Sequence, residues 1–67
     1  MTETVTELAA FDLPYTRKAE VRIAEFDSGM KMIRLVFREG KRITQIDLDA
    51  EKGLALSDAL RDAVEKL

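Results

Sequence analysis

From residue 18 onward the chain alternates. The runs KAEVRIAEF (18–26), MKMIRLVFR (30–38) and RITQIDL (42–48) place apolar side chains at every second position and are rich in β-branched and aromatic residues, the pattern of strands with one face turned to a core. Asp27-Ser28-Gly29 separates the first pair of runs and Glu39-Gly40-Lys41 the second. Both connections are short and each offers a glycine for positive φ, so both predict hairpins, and together they predict an antiparallel meander. A period of two puts Val21, Ile23, Ile33, Leu35, Phe37, Ile46 and Leu48 on one face, expected to be the core. Arg22, Ala24, Phe26, Met32, Arg34, Val36, Arg38, Ile43, Gln45 and Asp47 fall on the other.

After Leu48 the period becomes helical. Gly53, Leu56, Leu60, Ala63, Val64 and Leu67 form one stripe, Asp49 is a good N-cap, and Glu51 sits in the first turn where the helix dipole favours an anion. The spacing predicts a helix over roughly 50–66 that covers one side of the sheet. Gly53 costs about 1 kcal/mol against alanine inside a helix, so it implies a close approach of helix to sheet, or else a break with the helix restarting at Ser57. The expected architecture is α+β: a single β-β-β-α domain over residues 16–67, three strands plus a carboxy-terminal helix on one face, with a fourth strand if residues 11–16 join the sheet.

Residues 1–15 have weaker periodicity and read as an acidic amino-terminal arm, flexible or ordered by a partner, with Leu8, Ala9 and Phe11 as its anchors. Its sequence lacks a basic segment followed by an uninterrupted apolar stretch, which argues against a secretory signal or membrane anchor and for a cytoplasmic location. Charge sharpens this division. Residues 1–15 carry three anions and no cation; residues 16–45 carry eight cations against four anions, for +4; residues 46–67 carry three cations against six anions, for −3. An acid–base–acid chain of net charge −2 is not a uniformly basic nucleic-acid binder, although its middle segment can form a local positive patch.

Sixty-seven residues make one small domain whose core alone supplies little stability, and there is no cysteine for a disulfide and no histidine for zinc. Self-association or a partner subunit is therefore expected. The same absences remove the commonest general base, the thiol nucleophile and the main transition-metal ligands, so no catalytic residue, cofactor or metal is expected. Ser57, in GLALSDAL, does not have nucleophile-elbow spacing. Asp47, Asp49 and Glu51 resemble the start of a calcium loop, but Lys52 stands where that loop needs glycine and Asp58 where it needs glutamate.

What remains is the face opposite the helix. Arginine interleaved with methionine, aromatic and aliphatic residues is a composition enriched at interfaces, so Arg22, Phe26, Met32, Arg34, Val36, Arg38 and Ile43 are the expected partner-binding residues. Lys41 and Arg42 read as solvated hairpin-tip residues.

The order FDLPYTRKAEVRIAEF, MKMIRLVFR, RITQIDLDAEKGLALSDAL, over residues 11–64, resembles the single-stranded-DNA-binding domain of the transcriptional coactivator positive cofactor four. "IDLDAE", Ile46 to Glu51, is similar to that family's strand-to-helix junction, and Phe26 to an aromatic at the end of an early strand. The resemblance implies a curved sheet with one helix, a dimer, and single-stranded nucleic acid stacked on aromatic rings. The chain departs from it in turning tightly at Glu39-Gly40 and in carrying Arg38 and Glu39 where rings would stand. The expected function is thus a non-catalytic accessory, regulatory or assembly subunit that binds a larger protein or a second copy through the outward sheet face and the arm. The alternative is a dimeric single-stranded nucleic-acid binder.

Overall fold

The computed structural model describes residues 3–67. Four strands form one antiparallel sheet in sequential order: β1 (Glu3–Leu13), β2 (Arg17–Phe26), β3 (Lys31–Glu39) and β4 (Arg42–Leu48). One helix, α1 (Ala50–Glu65), follows and packs on one side of the sheet against β3 and β4. The α+β meander expected from the alternation is present, with the fourth strand added.

That strand replaces the arm. Residues 3–13, expected to be flexible or partner-ordered, pair with β2 along their length, from Glu3 opposite Phe26 to Leu13 opposite Arg17. Met1 and Thr2, also assigned to the arm, lie outside the described residues. The alternation of β1 is interrupted where Leu8 bulges between Glu7 and Ala9, which hides its period of two. Leu8 and Phe11, named as arm anchors, are both exposed, Leu8 in the bulge and Phe11 on the helix side opposite Ala19.

The turns explain the register. Gly40 has a φ of 59° in the two-residue connection between the paired Glu39 and Arg42, the glycine-first geometry that suits a tight hairpin. Gly29 has a φ of 87° in the Asp27–Gly29 turn, closed by Phe26 N–H donating to the Met30 carbonyl and Gly29 N–H donating to the Phe26 carbonyl, each at 2.9 Å. The β1–β2 turn reaches the same reversal without glycine: Tyr15 and Thr16 have φ of 65° and 59°.

Asp49 caps α1 as expected, its Oδ1 accepting from Lys52 N–H at 2.7 Å. The helix does not break at Gly53. A Cβ at that position would lie 2.5 Å from Ile33 Cδ1, so the glycine is what lets the helix sit down on β3.

Burial departs from expectation. Val21, Ile23, Ile33, Leu35, Phe37, Ile46 and Leu48 do share the helix side, but none is fully buried, and Phe37 and Ile46 are exposed. The buried apolar residues, Ala24 at 0% and Val36 at 2% exposure, lie on the opposite side. The cause is which side chains can lie flat. Long arginines and glutamates fold over the small residues of the two central strands on one face. On the other, α1 approaches β3 and β4 closely and stands farther from β1 and β2, so the layer over them is incomplete.

Candidate functional site

Cross-strand register builds the outward face row by row. Glu7, Arg22, Arg34 and Asp47 stand opposite one another across all four strands, edge to edge. Two arginines directly opposed on β2 and β3 repel, and each is neutralised by acids on either side. Arg34 donates through Nε to Asp47 Oδ1 at 2.9 Å, through Nη2 to Oδ2 at 3.2 Å, and through Nη1 to Glu3 Oε1 at 2.5 Å. Arg22 pairs with Glu20 and, at 3.6 Å, with Glu7, and its Nε is buried without a hydrogen-bond partner. Arg38 Nε donates to Glu20 Oε2 at 2.9 Å.

These contacts shift the ionisation of the acids. The Arg38 hydrogen bond, with the nearby charges of Arg38 and Arg22, holds the Glu20 carboxyl below its usual range against the opposing effect of desolvation. Hydrogen bonding to Arg34 does the same for Asp47. Hydrogen bonds from Arg34 to Asp47 and Glu3 push the guanidinium well above its ordinary value. The charged forms of Glu20, Asp47 and Arg34 are therefore favoured by their partners in this layer.

This changes the standing of the expected partner-binding set. The structure brings Arg22, Phe26, Met32, Arg34, Val36, Arg38 and Ile43 onto one face, as the alternation required. It does not leave that face open: Arg34 is 8% exposed, Val36 is buried, Phe26 and Met32 are half-buried, and of the seven only Ile43, on the edge strand, is exposed. The Arg34 guanidinium lies 6.0 Å from the Phe26 ring centroid, so the ring expected to present a flat platform is covered by a cation. Glu20 shares the parity of Arg22 and was legible as its neighbour; Glu3 and Glu7 were not, because they belong to a strand taken for an arm.

The helix side is the opposite in character. Its three central rows, Phe11–Ala19–Phe37–Thr44, Ala9–Val21–Leu35–Ile46 and Thr6–Ile23–Ile33–Leu48, contain no charge. Two adjoining clefts of about 370 and 380 Å³ lie between these rows and α1, sharing Val21, Leu35, Leu56 and Leu60 and reaching Phe11, Leu13 and Phe37. Leu60 is 59%, Phe11 55% and Leu56 42% exposed. These side chains form contiguous apolar surface rather than scattered surface hydrophobes. Arg17, paired with Glu39, and Arg42 edge the groove at the hairpin end of the sheet.

Among the described residues no group of histidine, cysteine, aspartate or glutamate is placed to hold a metal ion, and no helix is long and apolar enough to cross a membrane. No curated protein and no solved structure matches the chain. Residues 2–66 match the family of unknown function DUF6967. With nearly its whole length inside that match, the chain belongs to this family.

Proposed function

We propose that the chain is a non-catalytic protein-interaction module, a small assembly or accessory subunit whose binding surface is the apolar groove between α1 and the sheet. One observation carries this reading: Phe11, Phe37 and Ile46 on the helix side of the sheet and Leu56, Leu60 and Val64 on the helix stay exposed, while the buried apolar side chains among the described residues are Ala24 and Val36 on the other face. Apolar surface left in water on both walls of a groove gains about 25 cal/mol for each Å² that a partner covers. The occupant is a polypeptide presenting an apolar helix face, since the groove is walled by a helix and a pleated sheet and lined by leucine, isoleucine, valine and phenylalanine side chains. A nucleic-acid partner would have to compete with Glu3, Glu20 and Asp47 for the outward arginines, which favours the protein-binding reading.

The test is cross-linking in cells that make the native protein, through Lys52 and Lys66 at the two ends of the helix, followed by identification of the linked peptides. Intermolecular links to any polypeptide, the same chain included, that vanish in Leu60→Glu are the expected result. Links indifferent to Leu60→Glu would remove the groove from consideration.

A further inference from the structure

We infer that the polypeptide filling the groove is a second copy of this chain, in a two-fold dimer where the helix stripe of one copy lies over the incompletely shielded helix-side surface of β1 and β2 of the other. This rests on the groove reading above and names its occupant.

Four observations converge on self-association. The chain carries both halves of the contact: α1 packs closely on β3 and β4 and only incompletely shields the helix side of β1 and β2, where Phe11 is exposed, while Leu56, Leu60 and Val64 on the helix remain exposed. One copy therefore offers a helix and lacks one, which is the self-complementary relation an isologous interface requires. The shape agrees. The radius of gyration is 13.5 Å, against about 11 Å expected for a compact chain of this length.

The area is of the right size. The exposed fractions of Phe11, Phe37, Leu56, Leu60 and Val64 amount to roughly 500 Å² per chain, below but of the order of the about 800 Å² that each partner contributes to a standard interface. Half-buried Val21, Ile23, Ile33 and Leu35 add to it.

Charge selects the mode. The central rows are uncharged, and on α1 the acids Glu51, Asp58, Asp62 and Glu65 project on the side opposite the stripe at 100° per residue, so two chains of net charge −2 dock here without burying like charges. Edge-to-edge pairing of β1 with its own copy is disfavoured by the same reasoning, because β1 carries Glu3, Glu7 and Asp12 and no cation.

The experiment is sedimentation velocity between about 1 and 200 μM on the whole chain, combined with isotope-filtered nuclear Overhauser spectra of a mixed labelled and unlabelled sample. A species of twice the 7.6 kDa chain mass is expected, with intermolecular contacts from the Leu60 and Val64 methyls to the Phe11 ring and the Ala19 methyl. Leu60→Glu should weaken the dimer at least 100-fold, and because Leu60 is already exposed within one chain it should leave the monomer folded. Ala19→Glu, on the receiving surface of β2, should do the same. A monomer at 200 μM would overturn the dimer, and groove-dependent cross-links to another protein in cells would then preserve the interaction reading with a different occupant. A dimer unaffected by both substitutions, or one joined by edge-to-edge backbone pairing of β1 or β4 instead of helix-side contacts, would also overturn it.

Discussion

Gly53 decides how close α1 comes to the sheet, and a double-mutant cycle with Ile33 measures that closeness. Gly53→Ala gains about 1 kcal/mol of helix propensity. The new Cβ, however, would stand 2.5 Å from Ile33 Cδ1, where carbon atoms prefer about 3.5–4.0 Å. Cδ1 is the far end of a side chain that can turn away, at about 0.5–1.5 kcal/mol for a poor rotamer. Gain and cost nearly cancel, so Gly53→Ala alone should change stability by less than about 1 kcal/mol. Ile33→Val deletes the clashing methyl itself and costs about 0.5–1.5 kcal/mol in the parent. In the Gly53→Ala background that cost should shrink or disappear, giving a favourable coupling of about 0.5–1.5 kcal/mol between the two substitutions. Gly53→Val, with branched methyls that have no free direction, should lose about 1–3 kcal/mol. The assay is urea unfolding followed by circular dichroism at one fixed protein concentration. Strict additivity of Gly53→Ala and Ile33→Val would mean that the helix does not rest on Ile33, and the groove geometry would fall with it.

Three further outcomes follow from local geometry. Thr16→Gly relieves a β-branched residue at a φ of 59°; the relief of about 1–2 kcal/mol exceeds the entropy cost of glycine in the unfolded chain, so unfolding midpoints should rise by a net of about 0.5–1 kcal/mol. A drop would show that the turn does not have this conformation. Asp49→Ala removes the acceptor for Lys52 N–H and should cost about 1 kcal/mol, with Asp49→Asn keeping most of it; equal loss in both would assign the effect to charge rather than capping. Glu20 and Asp47 have folded-state pKa values below their ordinary ones, so their contribution is present above the unfolded-state values and is lost as pH falls through the folded ones. With no histidine or cysteine in the chain, urea midpoints should be flat from about pH 5 to 8 and fall below about pH 4, less steeply in Asp47→Asn. A slope between pH 5 and 8 would contradict this.

The alternation over residues 18–48 was enough to fix three strands, their hairpins and which side chains share a face, because strand period and glycine turns are local properties. Asp49 and Gly53 were legible for the same reason: capping and close approach leave residue-type signatures at one position. What the chain concealed depends on distant pairing. β1 went unread because its turn, Pro14-Tyr15-Thr16, has no glycine although two residues take positive φ, and because the bulge at Leu8 breaks its alternation. With β1 missing, Glu3 and Glu7 had no place beside Arg34 and Arg22, and the outward arginines looked free. Which face is the buried one could not be read from polarity at all. Arginines and carboxylates lying flat over Ala24 and Val36 bury that face more completely than leucines and isoleucines facing an incomplete helical layer bury theirs.

The two faces should therefore answer differently to substitution, and that difference tests the whole assignment. Val36→Asp places a carboxylate at a position 2% exposed, beside Glu20 on the neighbouring strand and among arginines already paired with other acids, which costs several kcal/mol and should unfold a domain this small. Arg34→Glu leaves Asp47 and Glu3 facing a third acid and should destabilise in the same direction. Leu60→Glu adds its charge to a side chain already 59% in water, so it should spare the fold of the single chain and act on association alone. Circular dichroism at micromolar concentration separates the classes: lost or strongly weakened structure for Val36→Asp and Arg34→Glu, retained structure for Leu60→Glu. If Val36→Asp kept a native spectrum while Leu60→Glu lost one, the outward face would be the free surface and the groove the core, as the alternation alone suggested. The arginine layer would then have to be reread as a binding face whose acids give way to a partner.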